Sequence, residues 1–213
     1  MLAHHNGGMG WYRERILPHL VDWSCGGAAM QRWRARAIEG LSGRVVEIGF
    51  GSGLNVPVYP PEVTEVLAVE PSLRARELAA ERVAASPVPV THIGLDGQVL
   101  PLDDDSCDGA LSTFTLCTIP DVGAALAELR RVLRPGGRLH VLEHGISPDA
   151  GVARWQRRLD PIQHRVADGC HLTRDPIELL EGAGFEIVSS NSRYGKGPKP
   201  WTWMTTAVAE APA

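Results

Sequence analysis

No stretch of the 213-residue chain approaches the roughly 18 apolar positions a membrane span needs, so no stable membrane anchor is expected. The first ten residues are polar and glycine-rich, with His4 and His5 adjacent, and lack the apolar centre of a signal peptide. Basic runs are missing as well. The 2 lysines, the 19 arginines scattered among acids and the net charge of −4 argue against a nucleic-acid surface. Cysteine is sparse: Cys25, Cys107, Cys117 and Cys170 lie far apart and form no C-x-x-C. That pattern implies reduced thiols in a cytoplasmic protein and no metal site. With no repeats, low-complexity tracts or linkers, the chain reads as a single α/β domain.

What is present is a short apolar run, Val45-Val46-Glu47-Ile48, that breaks into alternating glycines at Gly49, Gly51 and Gly53. The β-branched residues suit a strand buried on both faces. The glycines allow positive φ and let a ligand lie against the main chain, although a merely flexible loop would read the same way. The next apolar strand, Glu65 to Glu70, ends in a carboxylate 17 positions beyond Gly53. A carboxylate there accepts hydrogen bonds from ribose hydroxyls, which NAD and S-adenosylmethionine both carry. Leu54 stands near where a dinucleotide turn wants its third glycine, and that favours the sulfonium cofactor.

Before the first strand, Tyr12 and Ile16 fall at helical spacing and Pro18 limits that helix; a second amphipathic stretch covers 28–38. This N-terminal helical cap, residues 1–40, suits a lid or plain packing on the sheet. Beyond the glycine turn, Asn55 sits where backbone amides point at a ligand. A helix from Ser72 to Ala85, a strand from Val88 to Ile93, a strand from Cys107 to Thr115, a helix capped by Asp121 and a strand from Arg138 to Glu143 follow. Pro89 suggests a sheet edge. Asp160-Pro161 and Asp175-Pro176 each read as a helix start, and Phe185–Ser190 and Trp201–Ala209 as two closing strands.

The segments VVEIGFGSG, VLAVEPS, GLDGQVLPLDDDSCDGALS and LAELRRVLRPGG together resemble the class I S-adenosylmethionine-dependent methyltransferases, most of all the small-molecule branch called methyltransferase type 11. The resemblance covers about residues 44–145, the cofactor-binding core, and leaves 146–213 for the acceptor side and the last strands. It implies a Rossmann-like sheet of order 3-2-1-4-5-7-6 with strand 7 antiparallel and helices on both faces. It places Gly49, Gly51 and Gly53 along the methionine and ribose, Glu70 on the ribose, Asp96 with Gly97 at the adenine, and Thr113 with Leu116 beneath the methionine. Glu47, Phe50, Asn55 and Pro71 fall within or beside the same motifs and join that cofactor site. LEHG, LDPIQH, DGCHLTR and the late tryptophan segment are similar to the thiol S-methyltransferases of the methyltransferase-like family. Animal members carry an amino-terminal membrane anchor that is not expected here.

The resemblance implies a methyltransferase acting on a small molecule, with a thiol first, then quinone-like phenols and lipid amines. An NAD-dependent reductase and a catalytically silent cofactor-binding module stay open beside it. A thiol acceptor must become a thiolate, so a nearby imidazole would help. His144, just after a strand, is the candidate base, and His164 with Asp168, one helical turn apart, a candidate oriented pair. Each equally reads as a loop hydrogen bond or a solvated pair. Cys117 and Cys170 read as small core residues. Tyr12, Cys170 and Trp203 are the acceptor-side candidates, Trp203 sharing a strand face with Trp201. A monomer or weak homodimer is expected.

Overall fold

The computed structural model describes residues 7–212, with side chains from residue 10 onward; the His4-His5 pair lies outside the described residues. Strands β1 (Gly43–Ile48), β2 (Val63–Val69), β3 (Val90–Gly94), β4 (Cys107–Thr113), β5 (Leu133–His144), β6 (Glu186–Tyr194) and β7 (Trp203–Glu210) form one sheet. Its order is β3-β2-β1-β4-β5-β7-β6, as the family resemblance implied. The pairs from β3 through β5 are parallel, and β7 runs antiparallel to both neighbours. Pro89 does precede an edge strand. Chain direction across the sheet reverses between β1 and β4, which opens a crevice at their carboxyl ends.

Helices α1 (Gly7–Arg15), α2 (Leu17–Cys25), α3 (Ala28–Ala37), α4 (Leu73–Ala84), α5 (Val122–Val132), α6 (Ala150–Val166), α7 (Pro176–Gly182) and the short α8 (Lys199–Thr202) cover the sheet. Among the described residues, no helix is long and apolar enough to cross a membrane. Successive residues of β1 serve opposite faces, as strand geometry requires. Val46 and Ile48 pack with Leu126, Leu129 and Leu180, while Val45 joins Ile38, Leu41, Phe50 and Ala79. Trp33 and Ala37 of α3 pack on Leu142 and Met204, and His140 Nδ1 lies 2.8 Å from the Ala37 carbonyl. The third helix of the N-terminal segment is therefore fixed to the sheet.

Three sequence expectations are corrected. Asp160-Pro161 does not start a helix: α6 begins at Ala150, capped by Asp149, and carries Pro161 in its interior. The Asp160 carboxylate instead accepts from Leu172 N at 2.6 Å and from Thr173 Oγ1, and faces His171, so tertiary donors outcompete the local cap. Trp201 lies in α8, not in the last strand; its indole N–H donates to Gln163 Oε1, and it shares no strand face with Trp203. Leu133 leaves α5 and opens β5, five residues earlier than the expected strand at Arg138.

The turn after β1 shows why glycine is required. Gly49 N and Phe50 N both donate to the Val69 carbonyl, which folds the chain over the end of β2. Gly49 has φ +67°, and a Cβ there would sit 2.0 Å from Thr115 Oγ1. Gly51, at φ +58°, would place a Cβ only in ordinary contact with the Gly49 carbonyl oxygen, at 3.9 Å. Gly49→Ala should lower the unfolding free energy by about 2 kcal/mol, from combined backbone strain and side-chain overlap. An unchanged denaturant midpoint would show that the turn relaxes without cost.

Candidate active site

The crevice holds a cavity of about 910 Å³. Its floor is the turn Gly49–Ser52. On the β2 and β3 side stand Glu70, Pro71, Asp96 and Gly97; on the β4 side stand Thr113, Phe114, Thr118 and Ile119. Helices α1 and α2 form the roof through Arg13, Leu17, Pro18 and Val21. His164, Asp168, Gly169 and His171, from the end of α6 and the loop after it, close the far end.

Glu70 is set by backbone. Its Oε2 accepts from Gly51 N at 2.7 Å and its Oε1 from Ser72 N at 2.8 Å, leaving each oxygen further lone-pair capacity toward the cavity. Burial raises its pKa, and the two amide bonds oppose that rise. Asp96 Oδ1 accepts from both Gln98 nitrogens, which fixes the loop and leaves Oδ2 available to a ligand.

Arg34, which the sequence reading passed over as one arginine among many, is 4 % exposed and reaches the cavity from α3. One guanidinium nitrogen donates to Asn55 Oδ1 at 2.8 Å and Thr113 Oγ1 at 2.7 Å, while Nε has no protein partner. Asn55 in turn donates to Glu47 Oε1 at 2.8 Å, and Tyr59 O–H to Glu47 Oε2. Burial pushes the Glu47 carboxyl up to about 7, against the hydrogen bonds and the Arg34 charge that favour ionisation. Glu47, Asn55, Gly53 and Leu116 thus lie behind the cavity wall and brace it; of the expected cofactor residues these four do not reach its surface.

The turn after β4 is held from β5. Glu143 Oε1 accepts from Thr115 N and Leu116 N at 2.6 and 2.8 Å, and Phe114 sits at φ +55°, a strained conformation for an aromatic residue. The roof is latched twice. Ser52 Oγ and an Arg82 nitrogen both donate to Asp22 Oδ1 of α2, and Arg13 of α1 pairs with Asp168 at 2.9 Å. That second contact is coulombic, since the Arg13 Nε–H has no aligned acceptor.

The expected His164–Asp168 pair does not form, because Asp168 turns to Arg13 at the end of α6. His164 packs against His171 with ring centroids 4.6 Å apart and the ring planes tilted by 47°. An imidazole–carboxylate pair exists elsewhere: His171 Nδ1 lies 3.1 Å from Asp160 Oδ2, and His171 faces the cavity. His144 does not reach the cavity wall, which corrects its reading as a base; its Nε2 lies 3.1 Å from Cys170 Sγ. Cys170 Sγ is 3.7 Å from Cys117 Sγ, and that contact, with burial, holds the Cys170 thiol uncharged. Tyr12 and Trp203 do not reach the wall either; Trp203 packs edge-on against Tyr194. DGCHLTR and LDPIQH contained His171 and Asp160, but nothing in their spacing joined the two.

Residues 46–141 match the family described as a methyltransferase domain. The chain is 34 % identical to the human thiol S-methyltransferase TMT1B over 79 % of its own length and 70 % of that protein's. It is 32 % identical to the ubiquinone/menaquinone biosynthesis C-methyltransferase UbiE of Syntrophotalea carbinolica, over 72 % and 70 % of the two chains. This chain belongs to the S-adenosylmethionine-dependent methyltransferases. The solved S-adenosylmethionine-dependent methyltransferase of Thermotoga maritima shares the fold at a TM-score of 0.67, with 24 % identity over 95 % of this chain and 99 % of that one.

The methyltransferase's residues fit that cofactor. The backbone at Gly51, where a Cβ would meet only the Gly49 carbonyl at 3.9 Å, admits a ligand, Glu70 offers acceptors to hydroxyls, and the Arg34 guanidinium on the cavity wall offers a positive charge to a carboxylate. The dinucleotide reading is set aside.

The buried Glu47 generates a pH effect. Its folded pKa is raised, so its contribution to stability is present below the unfolded value near 4.5 and is lost as pH rises to about 7. The unfolding free energy of the methyltransferase Glu47→Gln, relative to the parent, should therefore rise by on the order of 1–3 kcal/mol across that window. Denaturant titrations at a series of pH values measure it. A difference independent of pH would mean that Arg34 keeps Glu47 ionised throughout.

Proposed function

We propose that this methyltransferase transfers the methyl group of S-adenosylmethionine to the sulfur of a small thiol. The observation that carries the reading is the similarity to a thiol S-methyltransferase over 79 % of the chain, which extends well beyond the cofactor-binding core. The cavity supports it. At about 910 Å³ it lies near the upper end for one ligand, so a cofactor and a small acceptor fit together.

Strand order divides the space. Glu70, Asp96 and Gly97 follow β2 and β3, so ribose and adenine lie on that side, while Gly49, Phe50, Gly51 and Pro71 follow the cofactor's length. Arg34 and Thr113 sit at the β4 side, where the methionine carboxylate meets the positive charge of the Arg34 guanidinium. The acceptor then occupies the end bounded by the apolar Leu17, Val21, Phe114 and Ile119, with the imidazoles of His164 and His171 and the Arg13–Asp168 pair beside them.

The reaction is an in-line displacement. The acceptor sulfur loses its proton, its electron pair attacks the methyl carbon, and the sulfonium C–S bond breaks to leave S-adenosylhomocysteine. Alignment in the cavity supplies much of the acceleration, on the order of 7 kcal/mol where the geometry is tight. The four free cysteines accord with work in a reducing, cytoplasmic setting.

A mass-resolved transfer screen across alkyl thiols, phenols, hydroquinones and amines of similar size tests the acceptor. The thiol should be methylated fastest. Turnover of a hydroquinone or amine with none of any thiol would replace this reading with the quinone or lipid-amine one; binding without turnover of any class would make the chain a silent module. For the cofactor half, Glu70→Ala should weaken S-adenosylmethionine binding by about 1.5–3 kcal/mol with a native circular dichroism spectrum. An unchanged dissociation constant by calorimetry would remove Glu70 from the ribose.

A further inference from the structure

Three donor atoms meet behind the acceptor end of the cavity. Cys117 comes from the turn after β4, His144 from the last position of β5 and Cys170 from the loop between α6 and α7. Cys117 Sγ, His144 Nε2 and Cys170 Sγ all lie within 4.8 Å of one another. The two cysteines are 4 % and 7 % exposed. His144 Nδ1 is buried with no protein partner, so the ring's one polar contact is with sulfur. Hydrogen bonds hold the three segments together: His171 N donates to the Cys117 carbonyl at 2.9 Å, an Arg174 side-chain nitrogen donates to the Leu116 and Ile119 carbonyls on either side of it, and Glu143, next to His144, accepts from Thr115 N and Leu116 N.

The distances suit a thiophilic metal better than a disulfide. Two cysteine ligands of a tetrahedral zinc ion, each about 2.3 Å from it, stand about 3.8 Å apart. Here the sulfurs are 3.7 Å apart. A disulfide would need them at about 2.05 Å. The imidazole has to withdraw: its 3.1 Å from Cys170 Sγ is about half an ångström short of the tetrahedral separation. Two thiolates and one imidazole are also a donor set of zinc sites that keep a fourth position open.

We infer that Cys117, Cys170 and His144 form a three-ligand site for a zinc-type cation whose fourth position takes the acceptor sulfur. Thr118, Gly169 and His171, the chain neighbours of the two cysteines, line the cavity, whereas the three ligands lie one residue behind its wall; the fourth position must therefore open through that wall toward the acceptor end. The acceptor part rests on the thiol reading above; the metal part does not. On coordination the metal replaces the protons of Cys117, Cys170 and the acceptor thiol. The acceptor sulfur then attacks the methyl carbon, the sulfonium C–S bond breaks, and the neutral thioether leaves the metal as a weak ligand.

The test uses the full-length protein, reduced, stripped with a chelator and titrated with Co²⁺ as a spectroscopic substitute for zinc. One cobalt per chain is expected, with sulfur-to-cobalt charge transfer and strong tetrahedral ligand-field bands that Zn²⁺ abolishes. Cys117→Ser and Cys170→Ser should each lose the charge-transfer band, and Cys107→Ala should keep it. Should the serine variants fail to fold, the parent protein still decides: bound Zn²⁺ should protect two of its four thiols from alkylation. Absence of a cobalt–thiolate band in the folded parent, or its persistence in both serine variants, overturns the site. Adding a small alkyl thiol should shift the ligand-field bands, whereas a phenol should not. Bound cobalt indifferent to thiols, or full thiol methylation by metal-free protein, overturns the acceptor part; the latter leaves the thiol reading standing. A thiol-responsive cobalt spectrum with no thiol turnover by the zinc-loaded protein overturns the thiol reading and the acceptor part with it, and leaves the metal site standing.

Discussion

The desolvated guanidinium of Arg34 is the constraint on which the cofactor side depends. Removing such a charge from water costs several kcal/mol unless it is paired and hydrogen-bonded. Here the compensation is spread over Thr113 of β4, Asn55 after the glycine turn and, through Asn55, Glu47 of β1, which Tyr59 also holds. Helix α3, two central strands and the turn are thereby joined through one buried polar web. Because burial pushes Glu47 up to about 7, its charge offsets that of Arg34 only in part near neutrality. The site keeps positive character where the Arg34 guanidinium lines the cavity, and an anionic carboxylate is its complement.

The roof follows a different logic. Arg13–Asp168 and Arg82–Asp22 join partly exposed side chains, and exposed pairs of that kind contribute at most about 1 kcal/mol each. Cofactor and acceptor must enter a cavity covered by α1 and α2, so weak latches over a rigid floor are a workable combination. The floor is rigid for identifiable reasons: Glu143 pins the β4 turn through two backbone amides, and Glu70 pins the glycine turn through another. A positive φ at Phe114 persists because those bonds over-determine it.

What could be read from the chain divides along sequence distance. Val45–Ile48, Val66–Val69 and the Val122/Leu126/Leu129 period announce their strands and helix locally, and the glycine spacing with Glu70 announced the ligand. Strand order came only with the family likeness, since pairing is not encoded within any one segment. The failures are long-range. Asp160-Pro161 carries a sound local start signal, yet its carboxylate is claimed by residues 171–173. Asp168 is likewise claimed by Arg13, more than 150 positions earlier in the chain. Arg34 is unremarkable among 19 arginines until α3 is laid on the sheet. The cysteines, separated by 53 positions, fail every short-spacing metal pattern although their sulfurs nearly touch.

The chamber's chemistry bears on which nucleophile it suits. A thiolate meeting a sulfonium brings opposite charges together and destroys both as the methyl moves, so charge is dispersed at the transition state. A surrounding of low polarity strengthens that attraction relative to water. A neutral amine only passes the positive charge along and gains far less from the same walls. Leu17, Val21, Phe114 and Ile119 make part of such a wall at the end proposed for the acceptor, beside the Arg13–Asp168 pair. The same surroundings penalise formation of the thiolate, as the uncharged Cys170 thiol illustrates. An apolar chamber therefore favours sulfur methylation only if something in it stabilises the thiolate before transfer, and the residues behind its far wall are two sulfurs and an imidazole.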